Sequence, residues 1–139
     1  MPEPLRIRRR ALLVAAGLAG SGVARAERDA LEISYVIVRE TLEPSGEKST
    51  RRFENAVVLA IGETREVDIR DEYRLKVGVT NSDGQPNVQL ALWDYERRGD
   101  FAGSGSAALV VGGETRLTLL ATANVRYPIV LQSRRVQIP

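Results

Sequence analysis

The sequence contains no cysteine and no histidine among its 139 residues. Without cysteine, the chain cannot form disulfides or use a thiolate as a nucleophile or metal ligand. Without histidine, it lacks the commonest general base and the commonest metal ligand, which argues against zinc, copper and haem sites and against Ser-His-Asp catalysis. We therefore expect a protein that is not an enzyme and has no catalytic residue, no metal and no cofactor.

A long hydrophobic run is also missing, because no stretch of the chain reaches the roughly 18 consecutive apolar residues that a membrane-spanning helix needs. Residues 1–26 instead have the three parts of a secretory signal peptide. Four arginines lie within residues 6–10, a short apolar segment covers 11–19, and Ala24 and Ala26 form an A-x-A cleavage site. We predict cleavage before Glu27, one domain over 27–139, and a periplasmic or extracellular location.

The export route is left open by the leader. Arg9 and Arg10, followed by Ala-Leu-Leu at 11–13, resemble the twin-arginine export motif. An ordinary secretory leader with several arginines fits the same residues equally well.

Positive charge is concentrated in this leader. Residues 1–26 hold five of the 20 lysines and arginines and one of the 18 acidic residues, so the remaining chain has a formal net charge of −2. The calculated isoelectric point of 9.3 therefore does not indicate nucleic-acid binding by the mature protein.

Short segments of alternating apolar and polar residues fill the mature chain, and no segment keeps a helical period over three turns. Strand patterns separated by turns in this way favour an antiparallel β-sandwich. We predict an all-β, immunoglobulin-like sandwich of seven to eight strands. The expected strands are 31–42, 50–60, 65–70, 73–80, 88–95, 107–111, 116–121 and 126–132, with 134–138 as a tail able to pair.

Three local features refine this prediction. Asp83-Gly84 predicts a tight hairpin turn, because both residues accept positive φ angles. The glycine- and serine-rich segment 97–106 predicts a flexible loop. Pro128 cannot donate a ladder hydrogen bond, so its strand should begin at a sheet edge or with a bulge.

The tetrapeptide Gly-Glu-Thr-Arg occurs twice, at 62–65 and 113–116, each time between two apolar segments. The recurrence indicates either a duplicated half-sandwich or common hairpin composition repeated by chance. The spacing weakens duplication, because Val67 follows Gly62 by five residues whereas Leu117 follows Gly113 by four.

The candidate binding residues are Trp93, Tyr95, Arg97 and Arg98. Trp93 and Tyr95 alternate with Val88, Leu90 and Leu92, so they point outward if the aliphatic face is core. Exposed aromatic residues beside arginines are typical anchors of protein interfaces. Two alternatives remain, that the Trp93 face is the core or that segment 97–106 covers it. The nearby carboxylates Asp94, Glu96 and Asp100 fit a solvated strand end better than a calcium site.

These observations favour an exported, non-enzymatic interaction module, such as a periplasmic chaperone, an assembly factor or an accessory subunit. Its expected partner is another envelope or secreted protein, which could bind by adding a strand to a sheet edge. One alternative is a structural subunit of a self-associating surface polymer, and another is a small-ligand carrier, which would need a concave pocket.

Overall fold

The computed structural model describes residues 28–97 and 100–138. They form eight strands and one short 3-10 turn at Tyr95–Arg97. The strands are β1 (Arg28–Leu42), β2 (Lys48–Ala60), β3 (Thr64–Ile69), β4 (Tyr73–Ser82), β5 (Gln85–Asp94), β6 (Asp100–Ala108), β7 (Glu114–Thr122) and β8 (Val125–Ile138). The predicted leader lies outside the described residues.

The strands form two four-stranded antiparallel sheets, consistent with the predicted β-sandwich. Sheet A has the order β2-β1-β8-β7, and sheet B has the order β3-β4-β5-β6. Every neighbouring pair joins strands that are consecutive in the chain, except β1 and β8. The immunoglobulin-like type is not confirmed, because immunoglobulin domains contain Greek-key connections and this chain follows a simple meander.

Side chains on β1 and β8 connect the two ends of the meander across sheet A. They form the pairs Glu40–Arg126, Glu32–Arg134 and Asp29–Gln137. The steady progression of these partners is that of an antiparallel register. Residues Asp29–Gln137 form one compact unit.

The core lies between the sheets and is built from alternating positions of each strand. The inward residues of β5 are Val88, Leu90 and Leu92, all buried, so the aliphatic face of this strand and not the Trp93 face is the core. Three tyrosines, Tyr35, Tyr73 and Tyr127, are also fully buried. Tyr35 and Tyr73 satisfy each other through a 2.8 Å hydrogen bond between their hydroxyl oxygens.

The two halves of the domain repeat one strand path. Strands β1–β4 contribute a hairpin to sheet A and then a hairpin to sheet B, and β5–β8 contribute the same elements in the opposite order of sheets. Sheet A read from β2 to β7 therefore corresponds to sheet B read from β6 to β3. This correspondence is a pseudo-two-fold relation, in which β1 to β4 match β5 to β8.

The corners between the sheets repeat the same backbone hydrogen bonds. At the first corner these are Gly62 N to Val79 O, Glu63 N to Ala60 O and Val79 N to Glu63 O. At the second corner they are Gly112 N to Ser133 O, Gly113 N to Val110 O and Ser133 N to Gly113 O. Gly62 and Gly112 both have positive φ, of 96° and 83°, which glycine adopts without steric cost.

Gly62 therefore corresponds to Gly112, whereas an alignment of the two Gly-Glu-Thr-Arg tetrapeptides would match Gly62 with Gly113. With this alignment Val67 and Leu117 each follow their glycine by five residues, and both are partly buried against the core. The repeat is thus a repeat of architecture, and the tetrapeptides themselves occupy positions that do not correspond.

Two expectations need correction. The loop predicted for 97–106 and the strand predicted for 107–111 are both wrong, because a turn follows Ala108 and the residues Asp100–Ala108 form β6. Its glycines and serines pair with β5 as an edge strand.

Pro128 lies in β8, which is an interior strand of sheet A. The expected irregularity is present, since the register of β7 against the start of β8 shifts between Leu120 and Thr122.

In the part of the chain that the structure describes, no helix has the length and apolar character needed to cross a membrane.

Candidate functional site

A row of four side chains crosses the outer face of sheet B, with one residue from each strand. Register pairs Asp68 with Arg74, Arg74 with Trp93, and Trp93 with Phe101. We call these four residues the Trp93 row. Alternation places them on the face opposite the core, because their neighbours Leu75 and Leu92 are fully buried.

The rings and the guanidinium of the Trp93 row are in contact. The Arg74 guanidinium carbon lies 4.0 Å from the centroid of the Trp93 ring, a cation–π geometry. The Trp93 and Phe101 centroids are 5.3 Å apart with an interplanar angle of 55°. Phe101 remains 54% exposed. Arg74 Nε is buried and has no hydrogen-bond partner among the described residues.

A β-bulge brings Phe101 beside Trp93. The pairing of β5 with β6 shifts between Leu92 and Trp93, so that Ala102 becomes the extra residue. Ala102 is buried, Gly103 has φ of 140°, and Phe101 turns to the outer face. Bulges of this kind redirect a side chain at a chosen position.

The predicted site residues separate in the structure. Trp93 points outward, and Tyr95 lies next to the row, donating a 3.0 Å hydrogen bond from its hydroxyl to Asp68 Oδ1. Arg97 is directed elsewhere, with its Nη1 3.4 Å from the hydroxyl oxygen of Tyr127 on β8. Arg98 lies outside the described residues. Phe101 on β6 partly covers Trp93, which is the role that the sequence alternative gave to a loop.

An open trough of about 430 Å³ adjoins the row on the same face. Small side chains leave this space, notably Gly78, Ala91 and Ser104. Thr64, Lys76, Gln89 and Ser106 line it with polar groups. Its floor is formed by the sheet itself, so the trough is a shallow surface feature.

A separate polar cluster lies around Asp94, whose side chain is fully buried. Arg39 Nη1 donates a 2.9 Å hydrogen bond to Asp94 Oδ2, and the Tyr127 hydroxyl donates one of 2.7 Å. The backbone N–H of Glu96 donates a 3.1 Å hydrogen bond to Asp94 Oδ1. The expectation of a solvated strand end is therefore wrong for Asp94. Its carboxylate joins the two sheets.

Burial shifts the protonation equilibria in this cluster. It raises the pKa of Tyr127 to about 12, with the hydrogen bond to Asp94 acting in the same direction. Burial lowers the pKa of Arg39, but the hydrogen bond and negative charge of Asp94 outweigh it, so the net pKa is raised. Asp94 and Tyr127 are buried and bonded to each other, so the cluster links the two sheets.

Within residues 28–97 and 100–138, no group of three or more acidic, histidine or cysteine side chains could hold a metal ion.

No family model, no curated protein and no solved structure matches this chain. The function has to be inferred from the chain's own residues.

Sequence reasoning missed Arg74 and Phe101. Alternation along β4 could have placed Arg74 outward, but only the register between β4 and β5 sets it against Trp93. Phe101 was hidden by the glycine and serine content of its segment, which suggested a loop. The signal for a surface site was therefore the single tryptophan, and its neighbours required the structure.

Proposed function

We propose that this protein is an exported, non-enzymatic interaction module that binds another envelope or secreted protein through the Trp93 row. The observation that carries the proposal is the contact series Arg74–Trp93–Phe101, which leaves Phe101 54% exposed on the outer face of a sheet. Tryptophan and arginine are the residues most enriched among the few that dominate binding energy at protein interfaces.

The pseudo-two-fold relation supplies an internal comparison. The corresponding row on sheet A consists of Thr118, Pro128, Val38 and Arg52. It crosses the same four strand positions without an aromatic ring. The strand architecture therefore does not require the rings of the Trp93 row, which supports a role in recognition.

Other features favour binding over catalysis. The interior between the sheets is filled by aliphatic and tyrosine side chains. The trough beside the Trp93 row and a second depression lined by Asp68, Arg70, Asp71 and Tyr95 are open to solvent, whereas small-molecule sites are enclosed. The leader pattern of residues 1–26 supports a periplasmic or extracellular location for this activity.

The test begins with a photo-activatable amino acid in place of Phe101, crosslinked in the native envelope and followed by mass spectrometry. A matched probe in place of Leu120, which is 73% exposed on β7 of sheet A, serves as control. We expect a protein that is captured from position 101 and not from position 120. That captured partner is then purified, and its affinity for the unmodified chain and for the variants is measured by calorimetry.

We expect Trp93→Ala to weaken this affinity by at least about 30-fold, since interface hot spots contribute about 2 kcal/mol or more. Arg74→Gln should weaken it as well, whereas Leu120→Ala should leave it unchanged. Circular dichroism confirms that each variant is folded. Equal affinity for the unmodified chain and Trp93→Ala, or identical captures from both probe positions, would contradict the proposal.

A further inference from the structure

Strand β2 is a long edge with one unpaired side. It spans 13 residues, pairs with β1 along its whole length, and has no neighbour on its other side in sheet A. Only Phe53 and Leu59 of this strand are buried. The backbone N–H groups of Ala56 and Ala60 in this strand donate to Asn55 Oδ1 and Glu63 Oε1. An unpaired edge of this length still presents a row of backbone donors and acceptors that can pair with another strand.

The other three edges are less available. β7 packs closely against β6, because glycines in β6 leave room for it. A Cβ at Gly105 would lie 3.1 Å from Leu119 Cδ2, and one at Gly103 would lie 3.9 Å from the carbonyl oxygen of Leu120. The edges of β6 and β7 thus cover each other. β3 has only six residues, and Arg65, Glu66 and Asp68 along it are exposed and charged.

We propose that two copies of this chain join through β2, antiparallel to each other, with Phe53 of one copy opposite Phe53 of the second. This register sets Arg52 of each copy opposite Glu54 of the other, twice across the two-fold axis. The side chains of Arg52 and Glu54 pair within one strand and are 64% and 59% exposed, so they are accessible to a second copy.

The charges of Arg52 and Glu54 favour a second copy of this chain as the partner of β2 and favour this one register. Two neighbouring registers also keep outward side chains opposite outward side chains. One sets Arg52 opposite Arg52 and the other sets Glu54 opposite Glu54. Like charges directly opposite each other are destabilising. In the proposed register Arg51 faces Asn55 and Lys48 faces Val58, so no like charges oppose. The charges that would deter an unrelated strand therefore match a second copy of the same one.

The assembly closes at two copies. Pairing of identical edges about a two-fold axis uses the same surface on both partners and leaves no second copy of that surface free. The joined sheet has eight strands and ends in β7 on both sides, which β6 covers in each copy. The Trp93 row lies on sheet B and stays exposed, so a dimer presents two rows, which raises the avidity for a partner that itself carries two binding sites.

The test is sedimentation velocity of the purified protein over a series of concentrations up to about the millimolar range. We expect a concentration-dependent dimer. Arg52→Glu and Glu54→Arg should each weaken dimerisation by at least about tenfold, because each change places like charges opposite one another at two positions. A mixture of the two variants should restore dimers. One variant then has acidic side chains at both positions and the other has basic ones, so unlike charges face each other again between the two chains.

The matched control is Arg116→Glu on β7. Arg116 pairs with Glu114 two residues away, as Arg52 does with Glu54, but on the opposite edge of sheet A. This variant should dimerise as the unmodified protein does, and so should Trp93→Ala, which separates this proposal from the proposed function. A protein that stays monomeric throughout, a mixture that fails to recover dimers, or equal weakening by Arg116→Glu would each overturn the proposal.

Discussion

At the scale of single residues, Asp94 combines a fully buried carboxylate with three hydrogen bonds. A buried ionised carboxylate is tolerated only where hydrogen bonds and an opposite charge replace water. Arg39 and Tyr127 supply these from β1 and β8, both in the sheet opposite to Asp94. Arg39 also reaches Glu96 at 3.2 Å, and Glu96 receives a hydrogen bond from Arg51 on β2. This network of Asp94, Arg39, Tyr127, Glu96 and Arg51 ties four strands and the 3-10 turn together.

We expect Asp94→Asn to lower the free energy of unfolding by about 2–4 kcal/mol. The amide keeps the shape but leaves Arg39 without its main counter-charge in a largely buried position, and Glu96 compensates only in part. Urea unfolding followed by tryptophan fluorescence measures the change. Asp71→Asn is the control, because Asp71 is exposed with φ of 64°, which asparagine also tolerates, and its effect should stay within about 0.5 kcal/mol. Equal effects of both substitutions would contradict this role for Asp94.

The buried tyrosines predict a loss of stability at alkaline pH. Burial raises the pKa of Tyr127 to about 12 and raises those of Tyr35 and Tyr73 as well. In the unfolded chain a phenol titrates near pH 10, so below this pH both states hold the proton and the full stability is present. Above pH 10 the unfolded state releases protons that the folded state keeps. The free energy of unfolding should then fall by about 1.4 kcal/mol per pH unit for each such tyrosine.

Urea unfolding at intervals from about pH 8 to about pH 12 measures this dependence. Tyr127→Phe removes one of the titrating phenols, so its curve should start lower, for want of the hydrogen bond to Asp94, yet decline less steeply above about pH 10. A flat curve for the unmodified protein between about pH 10 and pH 11.5 would contradict the prediction.

At the scale of elements, β6 shows why composition misleads. Its sequence DFAGSGSAA contains residues typical of a flexible linker. The strand nevertheless needs these residues, because there is no room for larger side chains on its inner face. Gly103 and Gly105 face the opposite sheet, where Leu117 and Leu119 of β7 occupy the space that side chains would fill. The glycines are explained by the close approach of β7, which depends on the tertiary structure and cannot be read from the hydrophobic pattern of the chain.

We expect Gly105→Val to destabilise the domain by about 1–3 kcal/mol, because its Cβ alone would lie 3.1 Å from Leu119 Cδ2 and 3.4 Å from Leu117 Cδ1. The matched control is Ser104→Val. It places the same side chain on the same strand, but on the exposed outer face, and should change stability by no more than about 0.5 kcal/mol. Thermal unfolding of both variants measures the difference. Equal stability of the two variants would show that β7 does not depend on these glycines.

The sequence predicted most elements because alternation along a strand is a local property. It put Val88, Leu90 and Leu92 on the face of the strand opposite to Trp93, and it located the Asp83-Gly84 turn, where both residues have positive φ. The structure was needed to show that the aliphatic face is the buried one. It failed where an element depends on a neighbour in space. Arg97 is close to Trp93 in sequence but contacts Tyr127. Arg74 is 19 positions away in sequence and contacts the Trp93 ring, because register between β4 and β5 brings them together.

At the scale of the whole molecule, the pseudo-two-fold relation relates the two residues of the ion pair between Arg39 and Asp94. Tyr73 on β4 is the register partner of Asp94 on β5, and Tyr127 on β8 lies opposite Arg39 on β1. Tyr73 and Tyr127 occupy corresponding positions six residues before Val79 and Ser133, so Arg39 and Asp94 correspond as well. The two halves therefore meet through unlike charges at equivalent positions, which favours pairing of a first half with a second half over pairing of two identical halves.

This relation predicts that the order of the halves can be exchanged. The chain ends of the domain are adjacent, since Gln137 Nε2 donates a 2.6 Å hydrogen bond to Asp29 Oδ1. The link between the halves is the two-residue turn Asp83-Gly84, which is exposed. A circular permutant that begins at Gly84, ends at Asp83 and joins the old ends by a short glycine-serine linker keeps every strand pairing. We expect it to fold with two-state unfolding and a loss of no more than about 2 kcal/mol.

A second permutant, opened between Leu75 and Lys76 in the middle of β4, is the control. It interrupts an interior strand whose residues Leu75 and Val77 are fully buried, and it divides the pairing of β4 with both β3 and β5. We expect no cooperative transition from it, because opening a chain is tolerated at exposed loop tips and not within buried strands. Far-ultraviolet circular dichroism and urea unfolding distinguish the two proteins. If the permutant opened at Gly84 fails to fold, or both fold equally well, the halves are not interchangeable units joined through Arg39 and Asp94.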